Sequence, residues 1–168
     1  MDTKISIRPA NIDDLERICF FFEKAIHFLN ENKIPQWDEL YPNQEIIRED
    51  ILNRHMYAGE MQNQMVCVFS INQQCDEQYR VGDWQYRESS FMVIHRLCVN
   101  PQFQRQGIGT KAMQFIEDMM KNNGIIAIRL DAFSQNPSAL RMYEKLGYLK
   151  TGEVNWRTGL FYLYEKLL

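Results

Sequence analysis

The stretch from Phe91 to Met119 constrains this chain more than any other. An apolar run, Phe91-Met92-Val93-Ile94-His95-Arg96-Leu97-Cys98-Val99, ends at Asn100-Pro101. Gly107-Ile108-Gly109 then opens a segment whose apolar residues Ile108, Ala112, Phe115, Ile116 and Met119 recur at helical spacing. A glycine-bearing loop therefore delivers a strand to a helix N-terminus. Such a terminus exposes unpaired N–H groups and about half a positive charge, and glycine lets a ligand approach the backbone closely. A phosphate or pyrophosphate is the natural ligand of that arrangement.

Two nucleotide-type motifs compete for the glycine pair. Gly107-Ile108-Gly109-Thr110-Lys111-Ala112 fits the dinucleotide pattern G-x-G-x-x-A, and Asp131 lies near where a ribose-binding acid belongs. That pattern needs its glycines directly after the strand and a long series of βα units afterwards. Here residues 100–106 intervene and little chain remains, which argues against a nicotinamide-dependent oxidoreductase.

The remaining elements complete a mixed α/β pattern. Ile5-Ser6-Ile7 alternates as a first strand. Asn11 can cap a helix with the stripe Leu15, Ile18, Cys19, Phe22, Ile26 and Leu29, and a second helix runs near Ile46, Ile47, Ile51 and Leu52. Segments around Tyr57–Glu60 and Met65–Ile71 flank Gln62-Asn63-Gln64 as a hairpin. Residues 72–90 read as a surface loop with one helical turn. Beyond the glycine loop come a helix over 107–122, strands over 125–131, 148–152 and 160–165, and a helix over 137–146.

The length of 168 residues suits one domain, 1–168, and hydrophobic residues at 45% with charged residues at 24% suit a globular one. A net charge of −3, from 19 basic and 22 acidic residues without a basic stripe, argues against nucleic acid as a partner. No apolar run approaches the roughly 20 residues that span a bilayer, and the first residues lack a signal-peptide pattern, so a cytoplasmic protein without membrane attachment is expected. Cys19, Cys67, Cys75 and Cys98 have no metal-ligand spacing, and Cys67 and Cys98 lie in apolar runs where a thiol acts as a small hydrophobe. No metal site is expected.

A second motif lies downstream. Asn136-Pro137-Ser138-Ala139 opens a helix with a good N-cap and a proline at its first position, and Gly147 suits a left-handed stop. Tyr143 shares a face with Ala139 and Leu146, so periodicity alone makes it a core tyrosine.

Together these segments resemble the GNAT superfamily of N-acetyltransferases. Leu97-Cys98-Val99-Asn100-Pro101 followed by Gln104-Arg105-Gln106-Gly107-Ile108-Gly109 is similar to its L-x-V-x-P and [QR]-x-x-G-x-[GA] motifs, and residues 136–148 carry every letter of N-x-x-A-x-x-x-Y-x-x-x-G-[FY]. The resemblance is specific over residues 91–152. It implies an α/β fold with a mixed sheet of six to seven strands, about four helices, and a splay where the cofactor enters. Acetyl-CoA would be the co-substrate and acyl transfer to an amine the reaction. An acyl-CoA-binding sensor or interaction module without turnover is the alternative.

The resemblance also implies roles. Leu97, Cys98 and Val99 would bond the pantetheine arm along their backbone, Gln104, Arg105, Gln106, Gly107, Ile108, Gly109 and Thr110 would hold the pyrophosphate, and Asn136 and Ser138 would hold the cofactor arm. A backbone N–H near Leu97 would polarise the thioester oxygen, and Tyr143 would protonate the departing thiolate. A primary amine with a pKa of about 10.4 must lose a proton before it attacks. His95, with an ordinary pKa of about 6.5, is a candidate base, because strand alternation puts Val93, His95, Leu97 and Val99 on one face. It is equally readable as a core histidine bonded to the sheet. Trp37, Tyr41, Tyr79 and Trp84 are candidates to line the acceptor cleft or to fill core gaps. The acceptor is a small-molecule or peptide amine, and similarity to the family brings a homodimer into expectation.

Overall fold

The computed structural model describes residues 4–168. In chain order the elements are β1 (Ser6–Pro9), a 3-10 turn (Ile12–Asp14), α1 (Leu15–Glu31), α2 (Gln44–Leu52), β2 (Met56–Met61) and β3 (Gln64–Asn72). A 3-10 turn at Glu77–Val81 precedes β4 (Phe91–Val99), and another at Pro101–Phe103 precedes α3 (Ile108–Asn122). Then come β5 (Ala127–Phe133), α4 (Pro137–Lys145), β6 (Leu149–Trp156) and β7 (Gly159–Leu167). The strands form one seven-stranded sheet in the order β1-β2-β3-β4-β5-β7-β6. It is mixed: β4 and β5 are parallel, whereas β1–β2, β2–β3, β5–β7 and β6–β7 are antiparallel. Seven strands with four α-helices are the α/β architecture expected from the sequence. No helix among the described residues is long and apolar enough to cross a membrane.

The chain forms two compact units, Met1–Ser70 with Arg96–Ala112 and Ile71–His95 with Met113–Leu168. In the first, Asn11 starts the helical region: its side chain accepts from Asp13 N–H at 2.9 Å, while the Asp14 carboxylate accepts from Asn11 N–H at 2.9 Å. This reciprocal cap satisfies N–H groups that an opening helix leaves without partners. α1 buries Ile18, Phe21, Phe22 and Ala25, and α2, capped by Asn43, buries Ile47 and Ile51. These meet Trp37, Met56, Ala58, Met65, Val68 and Cys98 in one apolar cluster. Phe22 lies edge-on to Trp37 with centroids 5.6 Å apart, and full burial of such a ring contributes about 1.5–3 kcal/mol. A second cluster joins Met61, Val66, Cys67, Ile108 and Ala112, with Leu97 and Val99 packed against it.

The β2–β3 turn has only two residues. Gln62 and Asn63 both take left-handed backbone angles, φ 51° and 62°, as a tight hairpin matched to strand twist requires, and Gln64 already belongs to β3. In β2, a Cβ on Gly59 would stand 2.5 Å from Cys67 Sγ, so only glycine fits.

In the second unit the segment between β3 and β4 is not a surface loop in its middle part. Tyr79 and Trp84 are buried and stacked, with centroids 5.5 Å apart, and Trp84 Nε1 donates to the Tyr79 carbonyl at 2.7 Å. Tyr79 Oη donates to Asp131 Oδ2 at 2.6 Å. A buried ion pair, Arg129 Nε to Glu165 Oε2 at 3.0 Å, anchors the residues after Trp84: Glu165 Oε1 accepts from the N–H groups of Gln85 and Tyr86 at 2.7 and 3.3 Å. Asp83 N–H donates to the Thr151 carbonyl of β6 at 2.7 Å. The β6–β7 hairpin is longer than its periodicity suggests, and its ladder is irregular between Lys150 and Gly152.

Candidate active site

In the first unit, Asn100 ends β4 and turns the chain. Its N–H donates to Val66 O at 2.9 Å, its Nδ2 donates to Met65 O at 3.1 Å, and its Oδ1 accepts from Gln102 N–H at 3.0 Å. One side chain thus fastens the strand end to β3 and starts the 3-10 turn. The exposed loop Gln104–Gly107 comes next, and Ile108, buried in the second apolar cluster, anchors the start of α3. Arg105 and Gly107 are both left-handed, φ 61° and 75°. Left-handed residues at close intervals are the backbone device of anion-binding concavities. A Cβ built on Gly107 meets nothing within 4 Å, so the space above this helix N-terminus is open. The loop fits a pyrophosphate: open approach, first-turn N–H groups without intrahelical partners, and the positive end of a 15-residue helix.

Arg96, which belongs to none of the sequence motifs, governs β4. It is left-handed at φ 54° in mid-strand, and its buried guanidinium is bonded to Asp50 and donates from Nη1 to Tyr41 Oη at 2.8 Å. Burial alone would lower its pKa, but Tyr41 and Asp50 outweigh burial and hold it raised. A left-handed residue within a strand interrupts the pleat. The alternation expected to place Val93, His95, Leu97 and Val99 on one continuous face is therefore broken between His95 and Leu97. The parallel ladder with β5 ends just before, at Ile94 against Leu130. A basic residue inside an apolar run was the only sequence signal of this.

In the second unit, His95 Nε2 lies 3.0 Å from Asn72 Oδ1. Asn136 caps α4, its side chain accepting from Ala139 N–H at 3.2 Å, and Ser138 is exposed. Tyr143 is 6% exposed, its ring edge-on to Tyr148 at 5.9 Å and tilted against Tyr164 at 6.1 Å. Burial, and then the nearby Glu144, push the Tyr164 phenol up to about 12, so it keeps its proton at neutral pH.

Of the acceptor candidates, Trp37 fills the first unit's core, while Tyr79 and Trp84 pack the second unit's segment; burial and then Asp131 hold the Tyr79 phenol well above its ordinary pKa. Tyr41, at 37% exposure, keeps solvent contact while its oxygen is held by Arg96. Burial pushes the Cys67 thiol up to about 12 and the Cys98 thiol higher still, so both are protonated and inert, as a core role requires.

Against known sequences, the profile of the acetyltransferase (GNAT) family matches residues 22–148. The chain belongs to the GNAT acetyltransferase family. It is 26% identical over 144 residues to the uncharacterized N-acetyltransferase YesJ of Bacillus subtilis, covering 83% of this chain and 79% of that one. Among solved structures it is similar to a GNAT-family acetyltransferase of Streptococcus agalactiae, with a TM-score of 0.84 and 24% identity over 98% of this chain and 95% of that one. It is also similar to the PaiA N-acetyltransferase of Thermoplasma acidophilum, solved in complex with coenzyme A, with a TM-score of 0.75 and 18% identity over 98% and 99% of the two chains. In this GNAT acetyltransferase the dinucleotide reading fails on structure: eight residues separate β4 from α3, the sheet is not doubly wound, and the Asp131 carboxylate is bonded to Tyr79.

Proposed function

We propose that this acetyltransferase moves an acetyl group from acetyl-CoA directly to a primary amine, of a small molecule or a peptide, without an acyl-enzyme. The observation that carries the reading is the open, left-handed Gly107 at the N-terminus of α3. Acetyl-CoA, when bound, supplies the thioester acetyl. Gln104 to Thr110 hold its pyrophosphate through backbone N–H groups, and Leu97, Cys98 and Val99 bond its pantetheine arm. The N–H near Leu97 polarises the thioester oxygen, where one aimed donor is worth roughly 2.7–4 kcal/mol. Tyr143 Oη holds the proton destined for the leaving thiolate, and His95 takes the proton of the amine. Ser138 and the amide of Asn136 steady the cofactor arm. The protonated, buried thiols of Cys67 and Cys98 support direct transfer rather than a covalent relay. Four unpaired cysteines support a reducing, cytoplasmic setting.

The test begins with thermal unfolding of the protein alone, with acetyl-CoA, and with NAD. Ligand at a hundred times its Kd adds about 2.7 kcal/mol, which raises Tm by roughly 5–10 °C in a chain of this size. A shift with acetyl-CoA only is expected, followed by release of CoA thiol when a panel of small and peptide amines is supplied. A shift with NAD only, or none with acetyl-CoA, refutes the reading.

A further inference from the structure

The His95–Asn72 contact carries more than placement. Asn72 is 4% exposed, and its Oδ1 stands 2.8 Å from Gln74 N–H and 3.0 Å from His95 Nε2. A backbone N–H can only donate, so the side-chain atom it meets is the carbonyl oxygen of Asn72 and not its amide nitrogen. A carbonyl oxygen can only accept. His95 Nε2 must then carry the hydrogen, and in the neutral ring the lone pair is on Nδ1. We infer that Asn72 is a positioning residue which locks His95 in the Nε2–H tautomer, so that Nδ1 is the atom that takes the proton of the incoming amine.

This deepens the base role proposed above and rests on it. The orientation is independent of water or ligand, because Gln74 comes two residues after Asn72 and fixes the amide in a local turn. The ring is held at its far nitrogen, as general bases are held when a neighbouring group sets their tautomer. Were Nε2 to accept a proton, the ring would have to break from Asn72 and turn over. On the neighbouring strands, β3 carries no charged residue, Asp131 of β5 lies one residue past the end of the β4–β5 ladder and accepts from Tyr79, and the next residue along β4, Arg96, is paired with Asp50.

The experiment is nitrogen NMR of protein labelled at its three histidines, with His95→Gln used for assignment, beside turnover of the wild type, Asn72→Ala, Asn72→Asp and His95→Gln. Neutral His95 is expected to show protonated Nε2 and bare Nδ1. Asn72→Ala should lose that single tautomer and lower kcat about 10–100-fold, by analogy with the loss of the outer partner of a metal-bound histidine. Asn72→Asp keeps the acceptor, so it should retain the tautomer and most of the turnover. Its added charge should move the acid limb of the kcat/KM profile to higher pH, a displacement that a merely structural role would not produce. A proton on Nδ1 in a wild type whose His95→Gln variant is slow overturns the inference alone. Wild-type turnover in His95→Gln overturns the base role itself, and Asn72→Ala with unchanged tautomer and turnover removes Asn72.

Discussion

Replacing Glu165 by leucine isolates the strongest polar anchor of the second unit. Glu165 and Arg129 are 3% and 6% exposed, and the carboxylate serves Arg129 Nε, Gln85 N–H and Tyr86 N–H together. Glu165→Leu strands a guanidinium whose remaining contacts are the Tyr86 carbonyl at 3.2 Å and the rings of Phe91 and Trp84 at 3.9 and 4.5 Å. Removing one partner of a buried pair costs about 3–5 kcal/mol. The orphaned Gln85 N–H belongs within that figure, since both losses trace to one carboxylate. For a chain of this size the fall in Tm is about 6–20 °C. Arg129→Met with Glu165→Leu removes both charges and should recover much of the loss, because the penalty lies in the unpaired ion. The assay is denaturant unfolding of the two singles and the double, with hydrogen exchange at Gln85 and Tyr86. A loss under about 1 kcal/mol for the single, or a double that is simply the sum of its parts, would refute the reasoning.

Three further outcomes are expected. Tyr143→Phe should lower kcat about 10²–10⁴-fold with acetyl-CoA affinity nearly unchanged, read by thiol release and by calorimetric titration. Gly107→Val should strain a left-handed position by about 1–2 kcal/mol and close the open approach to α3, so that acetyl-CoA affinity falls by far more than stability does in parallel titration and melting. The Arg8 guanidinium, then the Asn11 N–H, hold the Asp14 carboxyl at about 2 against the opposing effect of burial. Because that pKa is depressed, its stabilisation is complete above about pH 4 and fades as the pH falls toward 2, so the Tm gap between wild type and Asp14→Asn should be level above pH 4 and close below it.

What was legible in the sequence is what neighbours in the chain decide. Asn11 and Asn136 announce their caps within three residues, and Gly147 marks a left-handed stop. Strand β4 could be bounded to the residue because Asn100-Pro101 stops it. The misses depend on distant partners. Gln85 meets Glu165 across 80 positions, Tyr79 meets Asp131 across 52, and Arg96 meets Asp50 across 46, so none leaves a periodic trace. Asn72 closes a strand like many asparagines, and only the fold brings its side chain to His95, 23 positions away. Of the candidate site, the glycine-bearing loop before α3 and the helix α4 could be read as elements; the break in β4 and the partner of its histidine could not.

The bond from Asp83 to Thr151 has a consequence for life at high concentration. β6 is one of the two edge strands of the sheet, and a strand in that place offers main-chain donors and acceptors to any extended peptide, including another copy of the same chain. Here the protein's own backbone occupies the position at Thr151, and the irregularity between Lys150 and Gly152 spoils a straight template beside it. Release of the segment that Glu165 secures would uncover that edge, and losses during purification would then rise with protein concentration.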